Sequence, residues 1–316
     1  MIGIIGARGF IGRSLIDHFS ARHKPVKAYI RKRDDQDRHQ LGALPQIYDL
    51  SIGQVFDPKI FASVDTVLLA ASATHPRTPN NDNSSEMELN VLPHQRLVQA
   101  LRQTDVKHLI FLSSGGTVYG EIQSETPLTE STPTKPITPY GYGKLCIETL
   151  LDKFWTGGDR RLTILRPSNP VGLHQRQSAH QHGLLPTVFE NLLTRKTIRV
   201  FGDGSTIRDY FAVEDLCELI DRIAADQSGG NAILNVSSGI GCSINEIIQT
   251  GSAVLKRPAR IHYSCGESPK ITCNILANDA ARRAHGWAPL KSAAEMFESF
   301  LSKERDNQRI AALLNA

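Results

Sequence analysis

Residues 139–144 read Pro-Tyr-Gly-Tyr-Gly-Lys, two phenols shortly before one ammonium. A tyrosine titrates near pH 10 in isolation, too high for a base at neutral pH, and a nearby cation lowers it by stabilising the phenolate. On an α-helix a side chain four positions earlier lies on the same face, whereas one two positions earlier points away. The spacing therefore selects Tyr140 as the partner of Lys144 and leaves Tyr142 outside proton transfer. Such a phenol can exchange a proton with a substrate hydroxyl, the step needed to interconvert alcohol and carbonyl.

A second cluster sits at the other end of the chain. "GIIGARGFIG" spaces Gly6, Gly9 and Gly12 as G-x-x-G-x-x-G between an apolar run and an amphipathic one. Glycines at this junction allow a tight turn, close approach of backbone to a pyrophosphate, and free amides at the positive end of a helix. Gly6, Arg8, Gly9, Phe10, Ile11 and Gly12 are thus candidate cofactor contacts. The next strand candidate runs into "YIRKRDD". An acidic group there would hold the ribose hydroxyls of NAD, while Arg31 and Arg33 would accommodate the extra phosphate of NADP. Both cofactors stay open, with NAD as the first expectation.

These groups need elements to position them. Apolar runs at 2–5, 26–30, 64–70, 108–114 and 162–167 are strand candidates, and segments 11–22, 85–104 and 143–155 have helical periodicity. Their alternation implies right-handed crossovers and a parallel sheet covered on both faces, a doubly wound Rossmann-type α/β fold. Ligands of such sheets bind at the carboxyl edge. Both clusters belong there. Past Pro167 the alternation loosens: helix, strand and helix candidates at 184–195, 198–202 and 213–227 precede others at 232–238, 243–256, 259–263 and from about 293 onward. The expected division is 1–167, with 209–238 returning to it, as dinucleotide domain, and 168–208 with 239–316 as a smaller α/β substrate lobe.

Composition narrows the class of protein. The chain has 316 residues, a formal net charge of +4 and no block of like charges, so nucleic-acid and membrane partners are not expected. Five cysteines, none in CxxC spacing, indicate neither a disulfide framework nor a cysteine zinc site. His174, His180 and His182 share a polar loop without further ligands, and no metal is expected. With no charged leader and no long apolar stretch, a cytoplasmic location is expected.

The motifs together resemble the extended short-chain dehydrogenase/reductases, and within them the nucleotide-sugar epimerases of the UDP-galactose 4-epimerase type. The residues that carry the resemblance are 6–12, "YDL" (48–50), "LAAS" (69–72), Asn90, "SSGGTVYG" (113–120), "PYGYGK" (139–144), "LRPSNPVG" (165–172) and "FGDGSTIRDYFAVEDL" (201–216). The resemblance implies an NAD(P)-dependent enzyme, working as a homodimer, that inverts C4 of a nucleotide-diphosphate sugar through a 4-keto intermediate. It places Asp49 and Leu50 at the adenine, Ala70, Ala71 and Ser72 at the phosphates and ribose, and Asn90 on the cofactor side of the pocket. Tyr140 and Lys144 would be catalytic and touch the cofactor, and Asn169 and Arg208 would hold the substrate diphosphate.

Two departures stand out. The family's sugar-binding hydroxyl would fall at Gly115, so its role passes to Ser114, to Thr117 or to water, with Ser114 and Thr117 as joint candidates. The acidic pair of related dehydratases is replaced by Gly116 and Thr117, which removes the groups for eliminating water. Alternatives from the residues themselves are a keto-sugar reductase using NADP and a noncatalytic cofactor-sensing protein on the same fold.

Overall fold

The computed structural model describes residues 1–30, 47–49, 57–121, 126–176, 184–264, 272–292, 295, 296, 298 and 299. The first half builds β1 (Ile2–Ile5), α1 (Phe10–Ala21), β2 (Val26–Ile30), β3 (Ile47–Asp49), β4 (Thr66–Leu69), α2 (Asn83–Glu86), α3 (Leu92–Leu101), β5 (His108–Leu112), the single turn α4 (Gly115–Val118), α5 (Pro139–Trp155) and β6 (Arg161–Pro167). There follow β7 (Asn169–Val171), α6 (Leu184–Thr194), β8 (Ile198–Phe201), β9 (Ile207–Ala212), α7 (Val213–Ala225), β10 (Ala232–Val236), β11 (Gly241–Ser243), α8 (Ile244–Val254), β12 (Ile261–Ser264), β13 (Cys273–Asn274) and α9 (Asp279–His285).

The main sheet has seven strands in the order β10-β6-β5-β4-β1-β2-β3, every neighbouring pair parallel. This is the doubly wound Rossmann-type arrangement. Strand order reverses between β1 and β4, and the crevice at that switch point is where such sheets take ligands. β1, β2, β4 and β5 are buried at every residue, as expected of parallel strands with helices on both faces. On one face Leu15, Ile16 and Phe19 of α1 meet Leu216, Leu219 and Ile220 of α7; on the other Leu97, Val98 and Leu101 of α3 meet Ile147, Leu151 and Trp155 of α5. Burying each of these large side chains contributes about 1.5–3 kcal/mol. Trp155 also satisfies its indole N–H on Arg161 O at 2.9 Å.

The expected helix over 85–104 is observed, with a difference. Between α2 and α3 the chain widens into a π-turn at Met87–Val91, just ahead of Pro93, which has no N–H to continue the regular ladder. α5 starts at Pro139, four residues earlier than the periodicity suggests, because Thr138 caps it by accepting from Gly141 N at 3.2 Å and proline suits the first turn.

In the second half, β9 is the centre of a small sheet with β11, β13 and β7, and β8 pairs with β12. Val171, Val188, Phe189, Ile198, Val200 and Ile247 form a separate core there. Segment 209–212 lies in β9, while α7 and β10 join the main sheet. The tail from Ala293 lies almost wholly outside the described residues.

Candidate active site

The glycine turn closes the switch point. Gly6 has φ +93°, and a Cβ on it would lie 2.6 Å from Ala71 N and 2.8 Å from Ala70 C. The ends of β1 and β4 thus meet at a residue that only glycine can occupy without strain. A Cβ on Gly12 would fall 2.3 Å from Gly6 O, so α1 packs directly on the turn. Gly9 precedes α1 with no side chain over its free amides. Arg8 and Ile11 are half-buried beside it and Phe10 is buried, with Ala70 and Ala71 half-buried at the end of β4. This cradle, shaped by backbone and closed to a Cβ at Gly6 and Gly12, fits a dinucleotide pyrophosphate at a helix N-terminus. Asp49 ends β3 opposite Ile30, whereas Arg31, Arg33 and Leu50 lie outside the described residues.

Tyr140 and Lys144 occupy one face of α5. Lys144 is buried, its Nζ donating to Leu112 O at 2.8 Å and lying 5.6 Å from the Tyr140 ring centroid and 4.9 Å from that of Phe111. Tyr142 turns outward and is 48% exposed, as helical spacing requires. The electrostatics differ from the sequence expectation. Burial, followed by the Glu86 carboxylate, pushes the Tyr140 phenol above its ordinary range, rather than Lys144 lowering it. Burial pushes Lys144 down to about 8, with Glu86 and then Glu148 opposing.

Glu86 was not legible as a site residue, and it lies at the centre of the polar interior. It is 2% exposed. Its Oε2 accepts from Thr74 Oγ1 at 2.7 Å and Asn81 Nδ2 at 2.8 Å, and its Oε1 from Asn90 Nδ2 at 2.7 Å. Asn90 also donates to Thr74 Oγ1 at 2.8 Å and accepts from Ala73 N at 2.8 Å and Ser72 Oγ at 3.4 Å. All four hydrogen-bonding positions of that amide are taken within the protein, so it holds the 72–81 loop. Ser72 itself is exposed and also donates to Thr74 O at 2.9 Å. The helical spacing of Glu86, Asn90, His94 and Leu97 is the signal that an acid shares the buried stripe.

A second buried carboxylate lies one turn beyond Lys144. Glu148 takes Arg166 Nε at 3.1 Å and Nη2 at 2.6 Å, and Ser113 Oγ also donates to it. Arg166 Nη1 donates to Tyr119 Oη at 3.1 Å, which donates to Asn235 Oδ1 at 2.7 Å. This network ties α5 to β6, β10 and the end of β5.

Ser114 precedes the turn α4 and Thr117 lies within it, and α4 packs on α5, where a Cβ at Gly141 would lie 2.9 Å from Thr117 O. Ser114 is half-buried at the N-cap position and its side chain makes no capping bond, whereas Thr117 is buried with Oγ1 3.4 Å from Ser114 O. A Cβ at Gly115 would lie 2.4 Å from Leu276 Cδ1 and 2.7 Å from Arg166 O, so position 115 has no room for the family's hydroxyl side chain.

Across the crevice, Asn169 Nδ2 donates to Asp209 O at 2.8 Å, and Arg208 is half-buried with Nη1 donating to Ile207 O at 2.7 Å. Burial lowers the Arg208 pKa and pushes Tyr210 up to about 12, and Arg77 acts on both. Asp209 does not pair with Arg208. Its carboxylate accepts from Ser168, Ser238, Gly239 and Leu276, and burial pushes it up to about 6 against those bonds. Asp209 is fully buried and fastens β9 to the ends of β6 and β10, a role that periodicity alone did not single out in the motif "IRDYFA". Among the described residues no group of three or more His, Cys, Asp or Glu could hold a metal ion, and no helix is long and apolar enough to cross a membrane.

A glycine turn at the switch point and a Tyr–Lys face at the same carboxyl edge define a dinucleotide-dependent α/β enzyme. The chain belongs to the NAD dependent epimerase/dehydratase family, whose model matches residues 2–237. It is 28% identical over 306 residues to UDP-glucose 4-epimerase of Mycolicibacterium smegmatis, covering 92% of this chain and 94% of that protein. UDP-glucose 4-epimerase of Thermotoga maritima, solved with UDP-glucose, superposes with a TM-score of 0.83 at 24% identity, over 97% of this chain and 99% of that one. The enzyme from Stenotrophomonas maltophila, solved with NAD and formylated UDP-arabinopyranose, gives 0.84 at 23% identity, over 98% of both.

Proposed function

We propose that this protein is an NAD-dependent epimerase that inverts C4 of a nucleotide-diphosphate sugar through a transient 4-keto sugar. The observation that carries the reading is that Tyr140 and Lys144 share a face of α5, with Lys144 bonded to Leu112 O at the carboxyl end of β5, the same sheet edge at which the glycine turn meets the end of β4. The matched family and the near full-length relatives favour it over a keto-sugar reductase or a noncatalytic sensor.

The cradle of Gly6, Arg8, Gly9, Phe10, Ile11 and Gly12, with Ala70, Ala71 and Ser72 at the end of β4 and Asp49 at the end of β3, holds the dinucleotide. When bound, the oxidised dinucleotide would supply a reversible hydride acceptor and a positive charge that favours the phenolate. Tyr140 then takes the proton of the 4-hydroxyl and returns it after the sugar presents its other face. Lys144 stabilises the phenolate and is fixed for this by Leu112 O. Ser114, whose hydroxyl is not spent on capping, steadies the sugar oxygen, with Thr117 behind it. Asn169 and Arg208 grip the diphosphate, Arg208 by the geometry in which guanidinium matches phosphate.

On this reading 1–167 with 209–238 serve the dinucleotide, and 168–208 with 239–316 serve the sugar nucleotide. Exposed Met87, Leu89, Leu92 and Tyr142 on the helices flanking the site support a homodimer. Cys146, Cys217, Cys242 and Cys273 are free thiols, which supports a reducing, cytoplasmic setting.

The test is to analyse purified protein for bound NAD, then incubate it with UDP-, GDP- and dTDP-hexoses with and without NADPH, reading products by NMR. C4 inversion without net cofactor consumption is expected. Stoichiometric loss of NADPH would replace the reading with that of a reductase.

A further inference from the structure

Two glycines in the first turns of a helix that carries the working pair need a reason, because each costs about 1 kcal/mol relative to alanine. For Gly143 the reason is Glu86. A Cβ there would lie 2.3 Å from Glu86 Cγ and 2.6 Å from its Oε1. The carboxylate is seated against the backbone of α5 between Tyr142 and Lys144. Its other contacts are all neutral donors: Thr74, Asn81 and Asn90. No described cation forms an ion pair with it, whereas the Glu148 carboxylate is held bidentately by Arg166.

We propose that Glu86 is a positioning residue of the Tyr140–Lys144 pair: its carboxylate, lodged against Gly143, locks the 72–81 loop onto α5 and supplies the local negative charge that keeps Lys144 an ammonium. The proposal rests on the functional reading above, in which Lys144 must stay charged beside the phenol.

The charge has somewhere to act. Burial lowers Lys144 to about 8, and Glu86 is the larger of the two carboxylate influences that oppose this. The same charge favours the neutral phenol of Tyr140. The remaining titratable groups around the pair are accounted for. Glu148 on α5 is bound to Arg166. His94 on α3 is pushed by burial to about 4 and stays neutral across the working range. On the loop, Arg77 acts on Arg208 and Tyr210, and His75 Nδ1 accepts from Arg77 N at 3.1 Å. Replacing Glu86 by a neutral isostere therefore lowers the pKa of Lys144 and that of Tyr140 together, and moves the active window to lower pH.

The experiment compares wild type, Glu86→Gln and Asn81→Ala. It measures kcat/KM against pH for the sugar nucleotide that wild type inverts, and titrates the 13Cε resonance of Lys144, assigned through its absence in Lys144→Arg. For Glu86→Gln the alkaline limb and the Lys144 midpoint both move down by roughly one pH unit. Asn81→Ala removes a hydrogen bond without removing charge and leaves both where they are in wild type. A Glu86→Gln enzyme that is slower at every pH, with unmoved limb and midpoint, would overturn the proposal and leave Glu86 a packing residue. If Glu86→Gln yields no folded protein, Glu86→Asp carries the test: the retracted carboxylate shifts both readouts the same way by less, and unmoved readouts again overturn it. A wild type that inverts no sugar nucleotide would instead sink the functional reading, while the resonance titration would still decide the role of Glu86.

Discussion

Two buried carboxylates meet at α5, Glu148 on the helix and Glu86 packed against it, and they are treated differently. Glu148 meets a guanidinium, a phenol-linked network and a serine, so its charge is cancelled where it stands. Glu86 meets two amides and a hydroxyl, which solvate its charge without cancelling it. The first arrangement clamps α5 to the sheet. The second leaves a net negative charge beside Lys144. A buried ion pair is thus a structural fastening, and a buried carboxylate solvated by neutral donors is an electrostatic instrument.

Breaking the fastening should give the largest effect. Arg166→Met leaves Glu148 buried and uncompensated, and unfolding by urea should show a loss of about 3–5 kcal/mol. A loss below about 1 kcal/mol would mean that water reaches the pair and that the contrast is smaller than described.

Crowding the instrument should cost less. In Gly143→Ala the gain in helix propensity, about 1 kcal/mol, opposes an overpacking cost of about 1–3 kcal/mol as the methyl meets Glu86. Overpacking wins because the carboxylate is pinned by three hydrogen bonds, so a modest net loss of stability is expected in the same assay, with displacement of Glu86. A more stable Gly143→Ala would show that Glu86 is free to swing away.

The smallest effect sharpens the comparison without mutation. Lys144 is held near 8, so its ammonium is lost as pH rises through that value. The 13Cε resonance of Lys144 should therefore titrate with a midpoint near 8, ammonium below it and amine above. A midpoint above pH 10 would place Lys144 at its ordinary value.

How far the residues announced this is clearest at particular positions. The β1–turn–α1 unit was legible because three glycines between an apolar run and an amphipathic run leave few other structures. Helical geometry chose Tyr140 over Tyr142 as the partner of Lys144, and α5 obeyed it, while the place of the pair one crossover after β5 gave the spacing its meaning. Glu86 was not legible, because an acid on a helix is ordinarily solvated, and only the packing of α2 against α5 removes it from water. Position 115 looked like a missing hydroxyl, yet its crowding by Leu276 and Arg166 O comes from segments far along the chain. β9 escaped notice because Arg208 and Asp209 interrupt its apolar pattern, and its partners β7, β11 and β13 are short and distant in sequence. The direction of the Tyr140 shift was also missed: burial, a property of the assembled site, and then the Glu86 carboxylate both raise it.

The most direct test of the central claim removes one oxygen atom. Tyr140→Phe keeps the ring and its packing but has no proton to exchange. Loaded with NAD and given the sugar nucleotide that wild type inverts, it should bind both with little change and lose about 10²- to 10⁴-fold in kcat. A variant that still inverts C4 at the wild-type rate would contradict the account.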